Sequence, residues 1–112
     1  MDITRLVRAH IDRFNAAVAI GNFDEMVAHF TEDATMSFEG VLLGPFQRRE
    51  AIARAYVDRP PDDQLHLLEF LDQNVDSVDV SYAWAAEPAP RAGTMTIERS
   101  DALISRLVVR FE

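Results

Sequence analysis

The chain has 112 residues, 48% hydrophobic and 27% charged, which suits one domain with one buried core and is not the composition of a disordered segment. Eleven basic residues against nineteen acidic ones give a net charge of −8, which repels phosphate backbones and anionic lipid surfaces, so neither nucleic acid nor a membrane is expected as a partner. The lack of cysteine excludes disulfides and thiolate metal sites, and Asp2, Arg5, Arg8, Asp12 and Arg13 make the opening residues unlike a signal peptide or a membrane span, so a cytoplasmic location is the expectation.

Ile3, Leu6, Val7, His10, Ile11, Phe14 and Val18 recur at three- and four-residue spacing, with Arg5, Arg8, Asp12 and Arg13 off the stripe. That spacing predicts a helix from Asp2 to Ile20 with one buried face. Gly21 can close it in the left-handed conformation, and Asn22, with Glu25 three residues on, can cap a short second helix with Phe23, Met26, Val27 and Phe30 as its apolar face. A connection this tight makes the two helices an antiparallel hairpin. From Phe30 to Phe38 the helical pattern hands over to an apolar, strand-like run, and Met36, Phe38 and Glu39 are expected to point into the space that helices and sheet enclose. Gly40-Val41-Leu42-Leu43-Gly44 reads as a brief strand or turn. Pro45 reads as the first turn of a third helix through Arg48, Ile52 and Tyr56, and Pro60-Pro61 as its stop.

From Gln64 the period falls from 3.6 towards 2. Leu65 to Leu71, Val78 to Trp84, Gly93 to Glu98 and Ala102 to Phe111 are four candidate strands, joined by residues 73–77, a Pro- and Gly-punctuated loop at 87–92 and a tight turn at Ser100-Asp101. Three helices followed by a four-stranded antiparallel meander make an α+β domain with the helices on one sheet face. Leu103, Leu107, Val109 and Phe111 are expected on one face of the last strand, and Arg106, Val108 and Arg110 on the other with Thr94, Thr96 and Glu98.

The phrase Gly21-Asn22-Phe23-Asp24-Glu25-Met26-Val27-Ala28-His29-Phe30-Thr31-Glu32-Asp33-Ala34-Thr35 resembles the helix-hairpin signature of the nuclear transport factor 2-like superfamily, which includes ketosteroid isomerases and SnoaL-like polyketide cyclases. Gly44 followed by Arg49 to Tyr56 is similar to its third helix, and Ile104 to Phe111 to its closing strand. Over residues 1–112 the resemblance implies a single domain, a cone-shaped, cystatin-like α+β barrel in which three N-terminal helices pack on a curved antiparallel sheet. The pocket then lies between the first helix and the concave face. The family's isomerases use a carboxylate base just past the hinge and an oxyanion hole of a tyrosine and a protonated aspartic acid. Here those positions fall on Phe38, with Glu39 the nearest carboxylate, on Phe14 and at or near Met95, all apolar. The standard isomerase machinery is therefore not expected.

Two readings stay open. In the first, a small apolar or aromatic molecule binds among Phe14, Met36, Phe38, Tyr56, Trp84, Met95, Val109 and Phe111. Any reaction would be a cofactor-independent isomerisation, cyclisation or dehydration by proton transfer. Its base would be His66, where cyclase-like members carry a pocket histidine, or Glu39, and its donor Tyr82. In the second, the protein is a non-catalytic dimeric interaction module whose own aromatics fill the pocket. The resemblance also implies a homodimer through the convex sheet face, with Arg106 or Arg110 meeting Glu98 across a two-fold axis. His10 and His29 read as packing or surface residues, and no cluster of His, Asp and Glu has the spacing of a metal site.

Overall fold

In the computed structural model, which describes residues 2–88 and 90–112, the first helix, α1 (Ile3–Ile20), starts at the place its sequence signals. The Asp2 carboxylate accepts the Thr4 backbone N–H at 2.8 Å, and Gly21, at φ 73°, ends the helix by donating its N–H to the Ala17 carbonyl. Ile3, Leu6, Val7, His10, Ile11, Phe14 and Ala17 form the buried stripe. Helix α2 (Asp24–Val27) is a single turn, with the Asn22 side-chain oxygen accepting the Asp24 N–H. Phe30, expected on that helix, instead opens strand β1 (Phe30–Glu39) and is fully buried.

The sheet is larger than the expected meander. Strands β3 (Leu65–Gln73), β4 (Ser77–Trp84), β5 (Gly93–Ser100) and β6 (Leu103–Phe111) pair antiparallel in sequence order. Then β1 adds to β6 in parallel and β2 (Phe46–Gln47) adds antiparallel to β1, giving the order β2-β1-β6-β5-β4-β3. The sheet is mixed and open, and the correction is physical: a parallel neighbour needs a long crossover, which here is most of the chain, so no local pattern announces it. In the loop expected at 87–92, Ala89 lies outside the described residues.

Helix α3 (Arg49–Asp58) starts four residues later than Pro45 suggested. Residues 46 and 47 pair with β1, and the Arg48 N–H donates to the Ala34 carbonyl at 2.8 Å, so the chain stays in the sheet until Arg48. Arg48 turns it into the helix with φ 80° and ψ 148°, a region that suits glycine and strains a residue with a Cβ. Its ion pair with Glu32 joins two well-exposed side chains at 3.7 Å and contributes little. Arg48→Gly is therefore expected to stabilise the fold by about 1 kcal/mol, read as a higher urea midpoint at an unchanged slope.

Helix α1 is tied to the sheet by a polar clamp. Asn15 donates to the Leu65 carbonyl at 2.9 Å and accepts the Leu65 N–H at 2.7 Å, while the Gln64 side chain donates to the Asn15 carbonyl. One side chain thus satisfies the first residue of β3 as a neighbouring strand would. The convex face carries Thr94, Thr96 and Glu98 opposite Arg110, Val108 and Arg106, as expected from alternation. Its charges, however, pair within the chain: Arg106 with Glu98, and Arg110 with Thr96 at 2.8 Å and Glu39 at 3.4 Å. Adjacent strands bring these groups together without a second copy.

Candidate functional site

Between α1, α3 and the concave sheet face lie two adjoining spaces. The outer one, about 450 Å³, has Met36, Leu42, Phe46 and Ala55 among its walls, together with the charged Asp58 and Arg59. The inner one, about 80 Å³, is lined by Phe14, Met95, Leu107 and Val109 together with His10 and Tyr82. Phe38, Tyr56, Pro61, Trp84 and Phe111 line both and form the neck. All eight residues expected to surround a ligand therefore line one chamber or the other. Alternation along the strands does this: Met36 and Phe38 on β1, Tyr82 and Trp84 on β4, Met95 on β5 and Val109 and Phe111 on β6 fall on a common face through the sheet register.

The neck is aromatic and ordered by ring packing. Phe38 stacks parallel to Phe111 with centroids 6.1 Å apart, Trp84 meets Tyr82 edge-on at 5.8 Å, and Tyr56 stacks on Phe23 at 4.9 Å. The Tyr82 hydroxyl donates to the Arg110 carbonyl at 3.3 Å, and burial, with the charge of Glu112 adding to it, pushes the phenol up to about 12. The Tyr56 hydroxyl donates to the Met36 sulfur at 3.5 Å, and burial raises its pKa further still. Both phenols stay protonated at neutral pH and can act as hydrogen-bond donors, not as bases.

Two of the three expected catalytic residues lie elsewhere. His66 is exposed on the convex side, opposite Ala83, because Leu65 and Leu67 take the inward positions on either side of it. Glu39 is exposed and paired with Arg110, since an inward Phe38 turns its neighbour outward. Of the three, Tyr82 alone lines the cavity. Phe14, Phe38 and Met95 do line it, as apolar walls. Among the described residues no group of three or more His, Cys, Asp and Glu could hold a metal ion.

His10 is the polar residue that the sequence reading passed over. It is 2% exposed, lines the inner chamber and stands edge-on to Phe30 at 5.7 Å, with its Nδ1 lacking a hydrogen-bond partner. Burial, with smaller repulsion from Arg13 and His29, pulls its pKa down to about 4, so the ring is neutral at physiological pH. The available signal was its place in the α1 stripe, which marks burial but says nothing of what the ring meets. His29, by contrast, is half-buried, with Nδ1 2.9 Å from the Glu25 carbonyl.

Neither a protein-family model nor a curated protein matches the sequence. Solved structures do match. The epoxide hydrolase/cyclase-like enzyme SalBIII of salinomycin pyran-ring formation superposes with a TM-score of 0.73 at 19% identity, covering 97% of this chain and 89% of that one. RV0760c from Mycobacterium tuberculosis, in complex with estradiol-17beta-hemisuccinate, gives 0.71 at 12% identity over 93% and 92%. The Delta 5-3-ketosteroid isomerase from Mycobacterium sp. gives 0.68 at 17% over 96% and 93%. The chain has the nuclear transport factor 2-like fold. At such identities the shared property is the backbone, and the nuclear transport factor 2-like frame accounts for where the cavity lies, while its lining belongs to this chain.

Proposed function

We propose that the protein binds a small, flat, apolar ligand in the paired chambers. The observation that carries this reading is the 450 Å³ outer space, mostly apolar with Asp58 and Arg59 in its lining, which adjoins the inner chamber through stacked aromatics, the usual anatomy of a small-molecule site. The interaction-module reading, in which the protein's own aromatics fill the pocket, fits the 80 Å³ inner chamber better than the 450 Å³ outer space. The complex of the Mycobacterium tuberculosis relative with a steroid derivative supports the same class of ligand. The convex face, whose charges pair within the chain, lends no support of its own to the expected homodimer, and the proposal is made for one chain.

Within the inner chamber binding is favoured over base-driven catalysis, the carboxylate of Asp58 belonging to the lining of the outer one. The titratable side chains lining the inner chamber are His10, Tyr56 and Tyr82, and with one pKa pulled down and two pushed up none is a strong base at pH 7. Trp84, the single tryptophan of the sequence, stands in the neck and reports occupancy directly. Titration with biaryl and fused-ring aromatic compounds is expected to shift or quench its emission. At a hundredfold excess over Kd a ligand contributes about 3 kcal/mol, and so raises Tm by about 10 °C. Unchanged emission and an unchanged Tm across the panel would remove the pocket reading.

A further inference from the structure

Between β1 and β2 the chain makes a short arch, Gly40-Val41-Leu42-Leu43-Gly44, whose apolar tip stands in water. Leu42 is fully exposed and Val41 nearly half-exposed. A single exposed apolar side chain is ordinary, and Val75 on the β3–β4 turn is one. Leu42 differs because, with Leu43 and Gly44, it also lines the outer chamber, so the chamber meets solvent beside it. The arch is loosely held as well. Among the described residues, no backbone hydrogen bond outside the helices and strands involves residues 40–45, and their side chains carry no polar group to add one. Gly40 at φ 95° and Gly44 at φ 75° bracket it, and a residue without a Cβ can leave that left-handed region at no steric cost. The frame on either side is fixed by strand pairing, Glu39 with Arg110 and Phe46 with Met36.

We propose that residues 40–44 are a lid that folds over the occupied outer chamber, with Leu42 as the side chain that lands on the ligand. This deepens the pocket reading and rests on it. Turned inward over an unfilled 450 Å³ space, Leu42 gains few contacts. Over a flat apolar ligand the same movement takes both surfaces out of water, so the ligand itself drives the closure. Asp58 and Arg59, in the same lining, cannot serve in its place, because an apolar surface strips water from a charged group and offers it no partner. Closure follows entry, so Leu42 governs mainly how long the ligand stays.

The test compares the native protein with Leu42→Ser and with Val75→Ser, an exposed apolar residue that lines no part of either chamber, using 4-phenylphenol and 2-naphthol as probes. Since Leu42 stands in water in the free protein, all three proteins are expected to share one urea midpoint. Leu42→Ser is expected to raise the calorimetric Kd about tenfold, through faster dissociation followed by stopped-flow of the Trp84 emission, while Val75→Ser binds as the native protein does. In methyl NMR the Leu42 signals, assigned by their loss in Leu42→Ser, are expected to gain nuclear Overhauser contacts to the protons of the bound probe. An unchanged Kd in Leu42→Ser, a lowered urea midpoint in that variant, or Leu42 methyl groups without such contacts overturns the lid and leaves the pocket standing. Binding of neither probe to the native protein overturns the pocket reading and the lid with it.

Discussion

Gly93→Ala is expected to destabilise the protein by about 3 kcal/mol or more, the largest effect of any single-methyl substitution considered for this chain. Gly93 lies in β5 between Tyr82 on β4 and Phe111 on β6. A Cβ at this position would sit 1.9 Å from the Arg110 carbonyl oxygen and 2.9 Å from the Tyr82 hydroxyl. The first of these is backbone, so a rotamer change cannot relieve the clash and the end of β6 must move. That movement also breaks the Tyr82 to Arg110 hydrogen bond and shifts Val109 and Phe111, which line the cavity. Tyr82→Phe is the control, because it deletes the same hydrogen bond without the clash and should cost about 1 kcal/mol. Urea unfolding of the two variants beside the native protein separates the terms. A cost for Gly93→Ala no larger than that of Tyr82→Phe would mean that β6 does not approach Gly93 as closely as described.

Acidification from pH 7 to 5 is expected to remove about 2 kcal/mol of stability through His10 alone. The pKa of His10 lies at about 4 in the fold against an ordinary 6.5, chiefly because the ring is buried. The unfolded chain therefore takes up a proton below pH 6.5 that the folded chain refuses until about pH 4. Stability from this group is complete above 6.5 and is lost as pH falls through that window. Arg13 and His29 disfavour the charged ring from the α1 side and from the end of α2, Phe30 meets it from β1, and Tyr56 and Tyr82 stay neutral throughout. The carboxylates titrate too, so the informative quantity is the difference between native protein and His10→Gln in urea unfolding at the two pH values. Equal losses in both proteins would show that His10 is already solvated.

Much of the fold was legible because its signals are local. The α1 stripe, the Gly21 stop, the Pro60-Pro61 stop and the four strands of the meander each follow from a period or a breaker within a few residues. The cavity walls were legible for the same reason, once the helix hairpin suggested which face turns inward. The catalytic candidates were not. His66 and Glu39 were chosen for their chemistry at strand positions whose parity was open, and the inward Leu65 and Phe38 place both on the convex face. A period of two gives a side chain only two choices, but which one is set by the neighbours that must be buried.

The sequence by itself determined the class of fold and which apolar residues turn to the helix side of the sheet, because both depend on residue type and spacing along the chain. Only the tertiary structure decided that β1 joins β6 in parallel, that Asn15 serves as a strand partner for Leu65, and that the His10 Nδ1 is buried without a hydrogen-bond partner. Those facts depend on groups far apart in sequence. A histidine in an apolar stripe looks alike whether its ring nitrogen meets a carbonyl, water or an empty space, and only the packing of α1 against β1 and the meander tells which.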